Sequence, residues 1–141
     1  MQFVITFVSA LLFTAPLFSQ SIFGNWKTID DNTGEKKSIV KVYEENGKAF
    51  GKVMELFRGA DEEQDPVCEE CKDHRKGKKV KGMIVINDME QDGDEWTDGK
   101  IMDPENGKVY KCKLWLEDAK TLKVRGYWGF LFRTQTWHRA D

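Results

Sequence analysis

Serine and histidine are scarce in this chain, and the shortage removes whole classes of chemistry. Beyond residue 19 the serines are Ser21 and Ser38, and the histidines are His74, in a charged segment, and His138, near the C-terminus. A Ser–His–Asp hydrolase site has nothing to be built from. Cysteine is limited to Cys68, Cys71 and Cys112. Zinc on the Cys68-x2-Cys71 pair would need two further ligands; His74 is near, but no second such pair exists. An excess of charge of either sign is also missing, since 22 Lys+Arg against 24 Asp+Glu leave −2 at pH 7. Without a basic field, nucleic acid is not an expected partner. Helical periodicity is almost absent. No cofactor and no resident metal are expected.

The first 19 residues contain no charged side chain, and the run from Phe3 to Leu17 is broken only by small or hydroxyl residues and Pro16. A spanning helix needs about 20 apolar residues, and no basic stop follows here. The segment therefore reads as an export signal, 1–19, with cleavage after Ser19 and a single domain over 20–141. A periplasmic or secreted protein without a transmembrane segment is expected. In such an oxidising compartment Cys68 and Cys71 are expected to form a disulfide. A thioredoxin-like role fits poorly, because that chemistry needs its first Cys at a helix N-terminus after a strand, and the flanks here are "EEQDPV" and "KDHRKG". Cys112 alternates with Tyr110 and Leu114 and reads as a small buried apolar residue, its pairing with a loop Cys remaining open.

What the chain does have is two-residue alternation and hairpin turns. Strands are expected near 22–28, 37–45, 48–58, 82–90, 95–103, 108–117, 121–129 and 132–139. Asn46-Gly47, Asp92-Gly93 and Asn106-Gly107 suit reversals that need positive φ. Eight consecutive antiparallel strands leave two open edges unless the sheet closes, so an all-β, up-and-down barrel of about eight strands is the expected fold. Tyr110, Cys112, Leu114 and Leu116 share one face of their strand; Leu122, Val124, Gly126 and Trp128 share one face of the next. "GMIVIND" is apolar on both faces, which calls for a covering loop or partner.

The longest connection, 59–81, carries an acidic block and then a basic one. It reads as a solvated excursion whose halves neutralise each other, with anion binding by Lys76, Lys78, Lys79 and Lys81 as the alternative. "NDMEQDGDEWTDG" fails as a calcium loop, because Trp96 and Thr97 stand where an oxygen ligand and a Gly are required. Asp103, before Pro104, is a turn cap or a functional carboxylate.

Aromatic residues gather at the chain's two ends: Phe23 and Trp26, then Tyr127, Trp128, Phe130, Phe132 and Trp137. In a closed barrel the end strands are neighbours, so packing at closure explains the clustering; a stacking surface for lipid or carbohydrate is the sharper alternative.

"GNW" in the first strand with Arg139 in "TQTWHR" resembles the calycin (lipocalin-like) arrangement, in which an Arg of the last strand covers a first-strand Trp. That resemblance implies a structural closure made by Gly24, Trp26 and Arg139, with Arg133 as a rival partner. Over nearly the whole chain after residue 20, "GNWKTIDDNTGEKKSIVKVYEENGKAFGKV", the Cys-x2-Cys loop, "IMDPENGKVYKCKL", "LKVRGYWGF" and "RTQTWHR" resemble the bacterial exported family called domain of unknown function 2147. This implies a fold and a compartment but no reaction.

The expected role is non-catalytic binding of a small apolar or amphipathic, lipid-like ligand in the cell envelope, by a monomer. Candidate contacts for that ligand, or for an envelope protein, are Tyr110, Arg125, Tyr127, Trp128, Arg133 and Trp137. The alternatives are a side-chain-filled barrel that binds a protein partner, and a small enzyme using Asp103 with Arg125 or Arg133.

Overall fold

A computed structural model describes residues 2–11 and 21–140. The expected cleavage point after Ser19, with Gln20, lies outside the described residues. Eight strands follow in order: β1 (Gly24–Ile29), β2 (Lys36–Glu45), β3 (Lys48–Leu56), β4 (Ile84–Asp92), β5 (Glu95–Met102), β6 (Val109–Asp118), β7 (Thr121–Trp128) and β8 (Leu131–Arg139). Each pairs antiparallel with its sequence neighbours, and β1 pairs with β8, so the sheet is a closed barrel. The seam is made at Trp26 opposite Arg139 and Lys27 opposite His138. Closure leaves no free sheet edge.

Local chemistry sets the reversals. Asn46 and Gly47 both have positive φ, as a two-residue hairpin between β2 and β3 requires. Alternation then fills the interior: Val40 and Val42, Ala49 and Val53, Cys112 and Leu114, Leu122 and Val124 are all buried. Strand β4 departs from alternation. Gly51 pairs with Ile86 while the next residue, Lys52, pairs with Ile84, so Val85 is an extra residue in the ladder. This bulge buries both Val85 and Ile86. The two-faced apolar pattern of "GMIVIND" thus comes largely from a bulge and not from an outside cover.

Up-and-down topology gives the barrel two unlike ends. The short β2–β3, β4–β5 and β6–β7 turns lie at one end. At the other lie the connections 30–35, 57–83, 103–108 and 129–130. The first end is packed: Trp26, Ile86, Met89, Leu114 and Leu122 are almost fully shielded, with Trp96 beside them and Phe23 set edge-on to Trp96 at 5.5 Å.

The long connection is exposed along most of its length, as its charge pattern suggests, but it is also anchored in the barrel. Cys68 and Cys71 are bonded as a disulfide and buried, and Val80 and Met83 join the same core. Its acidic and basic halves do meet, through a bridge between Val67 and Lys79, a Cys68 N–H bond to the Lys78 carbonyl, and a Lys79–Asp65 ion pair at 2.8 Å. Backbone pairing and an apolar interior, in addition to charge, hold it in place.

Candidate functional site

Between the packed end and the long connection the barrel keeps a cavity of about 1120 Å³, open at the end that carries the long connections. Its walls are built by the inward parity of several strands. Val40 and Val53 come from β2 and β3, Val85 from the β4 bulge, Ile101 from β5, Val124 from β7 and Trp137 from β8. Gly126 also faces it, and the missing side chain there widens the space beside Tyr110.

The polar groups of the wall are mostly paired with one another. Thr28 and Ser38 share a hydroxyl–hydroxyl bond of 2.6 Å across β1 and β2. Trp137 Nε1–H donates to Gln135 Oε1 at 3.1 Å, and Gln135 Nε2–H donates to Asp31 at 3.1 Å. Arg133 donates to the same Asp31 carboxylate. This chain runs from the interior to the rim and ties the β1–β2 turn to β8. The rim itself is charged with both signs: Lys36, Lys37 and Arg58 stand with Glu62, Glu70 and Glu105, and Lys37 pairs with Glu105 at 2.9 Å. An apolar interior under a mixed-charge rim suits a molecule with an apolar body and a polar end.

The long connection forms part of the rim and is pinned by close packing. Gly107, in the β5–β6 turn, has positive φ, and a Cβ there would lie 1.9 Å from the Glu70 carbonyl oxygen. Only glycine admits that approach. Beside it, Cys68 Sγ lies 3.5 Å from the Pro104 carbonyl oxygen, a packing contact, since a disulfide sulfur has no proton to donate. Farther along, the Arg75 guanidinium holds Asp73 and reaches the Ile84 carbonyl, clamping the connection to β4. The Arg75 bonds hold the Asp73 carboxyl down at about 2.

The residues singled out from sequence fall into three places. Tyr110, Arg133 and Trp137 line the cavity. Gly24, Trp26 and Arg139 stand at the packed end. There the Arg139 guanidinium lies 4.2 Å from the Trp26 ring centre and donates to the carbonyls of Ala119, Phe23 and Ser21. Arg133, the rival for that role, is at the opposite rim. Arg125, Tyr127 and Trp128 lie outside the cavity. Arg125 sits on the outer wall between the rings of Trp115 and Phe132, at 4.9 and 4.5 Å. Trp128 has the inward parity of Val124 but lies at the strand's last residue, where the wall has ended, and is 67% exposed.

The enzyme reading gains no geometry. Asp103 accepts the Glu105 N–H at 2.9 Å, and its carbonyl accepts the Gly107 N–H, so it caps its own turn. Arg125 is outside the cavity, and Arg133 is engaged by Asp31. The lysines Lys76, Lys78, Lys79 and Lys81 are exposed and do not line the cavity. Sequence reasoning missed Asp31, Gln135 and the Thr28–Ser38 pair. For Gln135 a signal existed, since it shares parity with Arg133 and Trp137; for Asp31, in a turn, none did.

A family model described as "Uncharacterized protein conserved in bacteria (DUF2147)" matches residues 24–139. Among solved structures, Protein HP1028 from the human pathogen Helicobacter pylori, described as belonging to the lipocalin family, is similar with a TM-score of 0.72. The likeness covers 86% of this chain and 84% of that one at 19% identity, and so speaks for the fold alone. A search of curated proteins found no match.

Proposed function

We propose, from the premise that this chain belongs to the DUF2147 family of bacterial proteins, that it is an exported carrier of a small amphipathic lipid such as a fatty acid. The observation that supports this reading is the cavity: about 1120 Å³, walled by Val40, Val53, Val85, Ile101, Val124 and Trp137 and open at a charged rim. Ligand sites commonly span about 300–1,000 Å³ with mostly apolar walls and a few placed polar groups. An acyl chain would lie against the valines and Trp137, and its polar end would meet Tyr110 and the rim. The driving force is removal of apolar surface from water, so affinity should grow with chain length.

The test is titration of the delipidated protein with a fluorescent long-chain fatty acid, compared with Gly126→Leu. At Gly126 a Cβ meets its nearest neighbour, Tyr110 Cβ, at an ordinary 3.4 Å, so the leucine fits the backbone while its side chain fills the cavity. Saturable binding that weakens by about tenfold or more in the variant is expected, an energy change of about 1.4 kcal/mol. Absence of saturable binding, or equal binding by a folded Gly126→Leu protein, would rule the cavity out as the site.

A further inference from the structure

The reversal between β7 and β8 carries an apolar surface that the barrel does not use. Phe130 is 93% exposed, and Trp128, Phe132 and Leu131 are more than half exposed. These residues form one tip, because Trp128 pairs with Leu131 and Tyr127 with Phe132, with Gly129 at positive φ making the turn. Core packing does not explain them, and closure of the barrel excludes a role as an unpaired sheet edge. Contiguous exposed apolar patches mark interaction sites.

The tip is convex and girdled by cations. Lys108 lies over the Trp128 ring at 5.4 Å, and Arg125 over Phe132 at 4.5 Å. Lys111 pairs with Tyr127 in the ladder, and Lys72 borders a shallow depression beside Trp128. Two carboxylates at this end are already engaged, Asp73 by Arg75 and Asp31 by Arg133. Projecting aromatic rings above a ring of lysine and arginine match the layering of a bilayer, with acyl chains beneath anionic headgroups. Antiparallel order also puts this tip at the same end of the barrel as the cavity mouth.

We infer that the β7–β8 tip is a membrane-docking element: Trp128, Phe130, Leu131 and Phe132 insert into the headgroup–acyl boundary of an anionic bilayer, with Lys108 and Arg125 at the phosphates. Docked this way, the cavity mouth is brought to the lipid surface. The docking stands on the tip's own geometry; only its corollary, that cavity ligand passes directly between bilayer and barrel, rests on the carrier function proposed above. Rim carboxylates such as Glu70 oppose an anionic surface, so insertion of the rings, and not charge alone, has to hold the protein there.

The experiment is sedimentation with vesicles of phosphatidylethanolamine containing phosphatidylglycerol, made with and without brominated acyl chains. The wild-type chain, Phe130→Ser/Phe132→Ser, and Trp128→Phe are compared. Wild type should sediment with the vesicles. The double serine variant, changed only at exposed positions, should partition about tenfold more weakly or worse, since two rings then stay in water. Brominated lipid should quench tryptophan fluorescence in wild type and much less in Trp128→Phe, because Trp26, Trp96 and Trp137 are shielded inside the barrel and Trp115, half-buried on the outer wall, stands opposite Lys123, back from the tip. Fatty-acid uptake from solution by the double variant should equal that of wild type, which separates a failure of docking from a failure of the carrier reading. Absence of vesicle binding, equal binding by the double variant, or quenching undiminished by Trp128→Phe would each overturn the inference. So would burial of Trp128 in a self-associated or protein-bound form that excludes vesicles.

Discussion

Trp26 shows how one side chain can hold an end of a barrel. It is fully shielded, its Nε1–H donates to the Ile22 carbonyl at 2.8 Å, and Arg139 covers its ring. Gly24 precedes it at φ 128, a conformation that only glycine holds without strain. Trp26→Ala should cost about 3–5 kcal/mol, the range for truncation of a buried large aromatic residue, read as a lower urea midpoint. A folded variant of unchanged stability that had lost ligand binding would instead make Trp26 a ligand contact. Arg139 adds three donors to carbonyls from two separate segments, a geometry that the single ammonium of lysine does not reproduce. A second residue-scale outcome concerns Cys112. Burial pushes its thiol up to about 12, so it stays protonated and shielded in the native protein. Thiol titration without reductant should find no reactive group in the native chain at neutral pH and one after unfolding, with three after unfolding meaning that the Cys68–Cys71 bond is absent.

At the scale of elements, the long connection is held against the barrel by a close glycine contact and an ion pair. Gly107→Ala places a methyl group against the Glu70 carbonyl and requires positive φ of a non-glycine residue. The connection must then lift from the β5–β6 turn. A loss of about 2–4 kcal/mol is expected if the barrel and its rim unfold together. Faster proteolysis within 59–81 at unchanged barrel stability is expected if the connection opens alone. The Asp73–Arg75 clamp adds a pH dependence. Asp73 titrates lower in the folded chain than its ordinary 3.8, so its contribution is complete above pH 3.8 and is lost as pH falls toward about 2. Amide hydrogen exchange at residues 72–76 should therefore rise, relative to the intrinsic rate, below pH 3.8. Because the Asp73 carboxylate is exposed to solvent, the effect should be confined to the connection and should leave the global midpoint nearly unchanged.

At the scale of the molecule, closing the sheet converts alternation in eight strands into an interior with two unlike halves. One half is filled by Trp26, Met89, Leu114, Leu122 and Trp96, and the other is left as the cavity. A ligand that binds only the closed barrel must stabilise it by mass action. Saturating fatty acid at about 100 times its dissociation constant should add about 2.7 kcal/mol and raise the unfolding temperature, an effect that Gly126→Leu should cut to about 1.4 kcal/mol or less at the same concentration. A thermal scan with and without lipid checks this, and an unshifted midpoint at saturation would mean that no folded-state site exists. The docking tip belongs to the same scale, because antiparallel order places it at the end where the cavity opens.

Much of this was legible in the sequence, and the reason is local. Period-two alternation and the Asn46-Gly47 reversal depend on neighbouring residues, so the strand count, their order, the antiparallel pairing and the inward face of β6 could be read directly. The Cys68–Cys71 bond could be expected from proximity in the chain and from the expected compartment. Tertiary structure alone decided where parity stops governing exposure. Trp128 has inward parity and still projects into solvent, because the neighbouring wall ends there. Val85 breaks parity and is still buried, because a bulge turns it. The meeting of Asp31 with Arg133 and Gln135, and of Gly107 with Glu70, joins residues far apart in sequence through packing distances that no local pattern encodes. Whether the interior was full or hollow was likewise a matter of summed side-chain volume against barrel radius, a quantity that exists only once the sheet has closed.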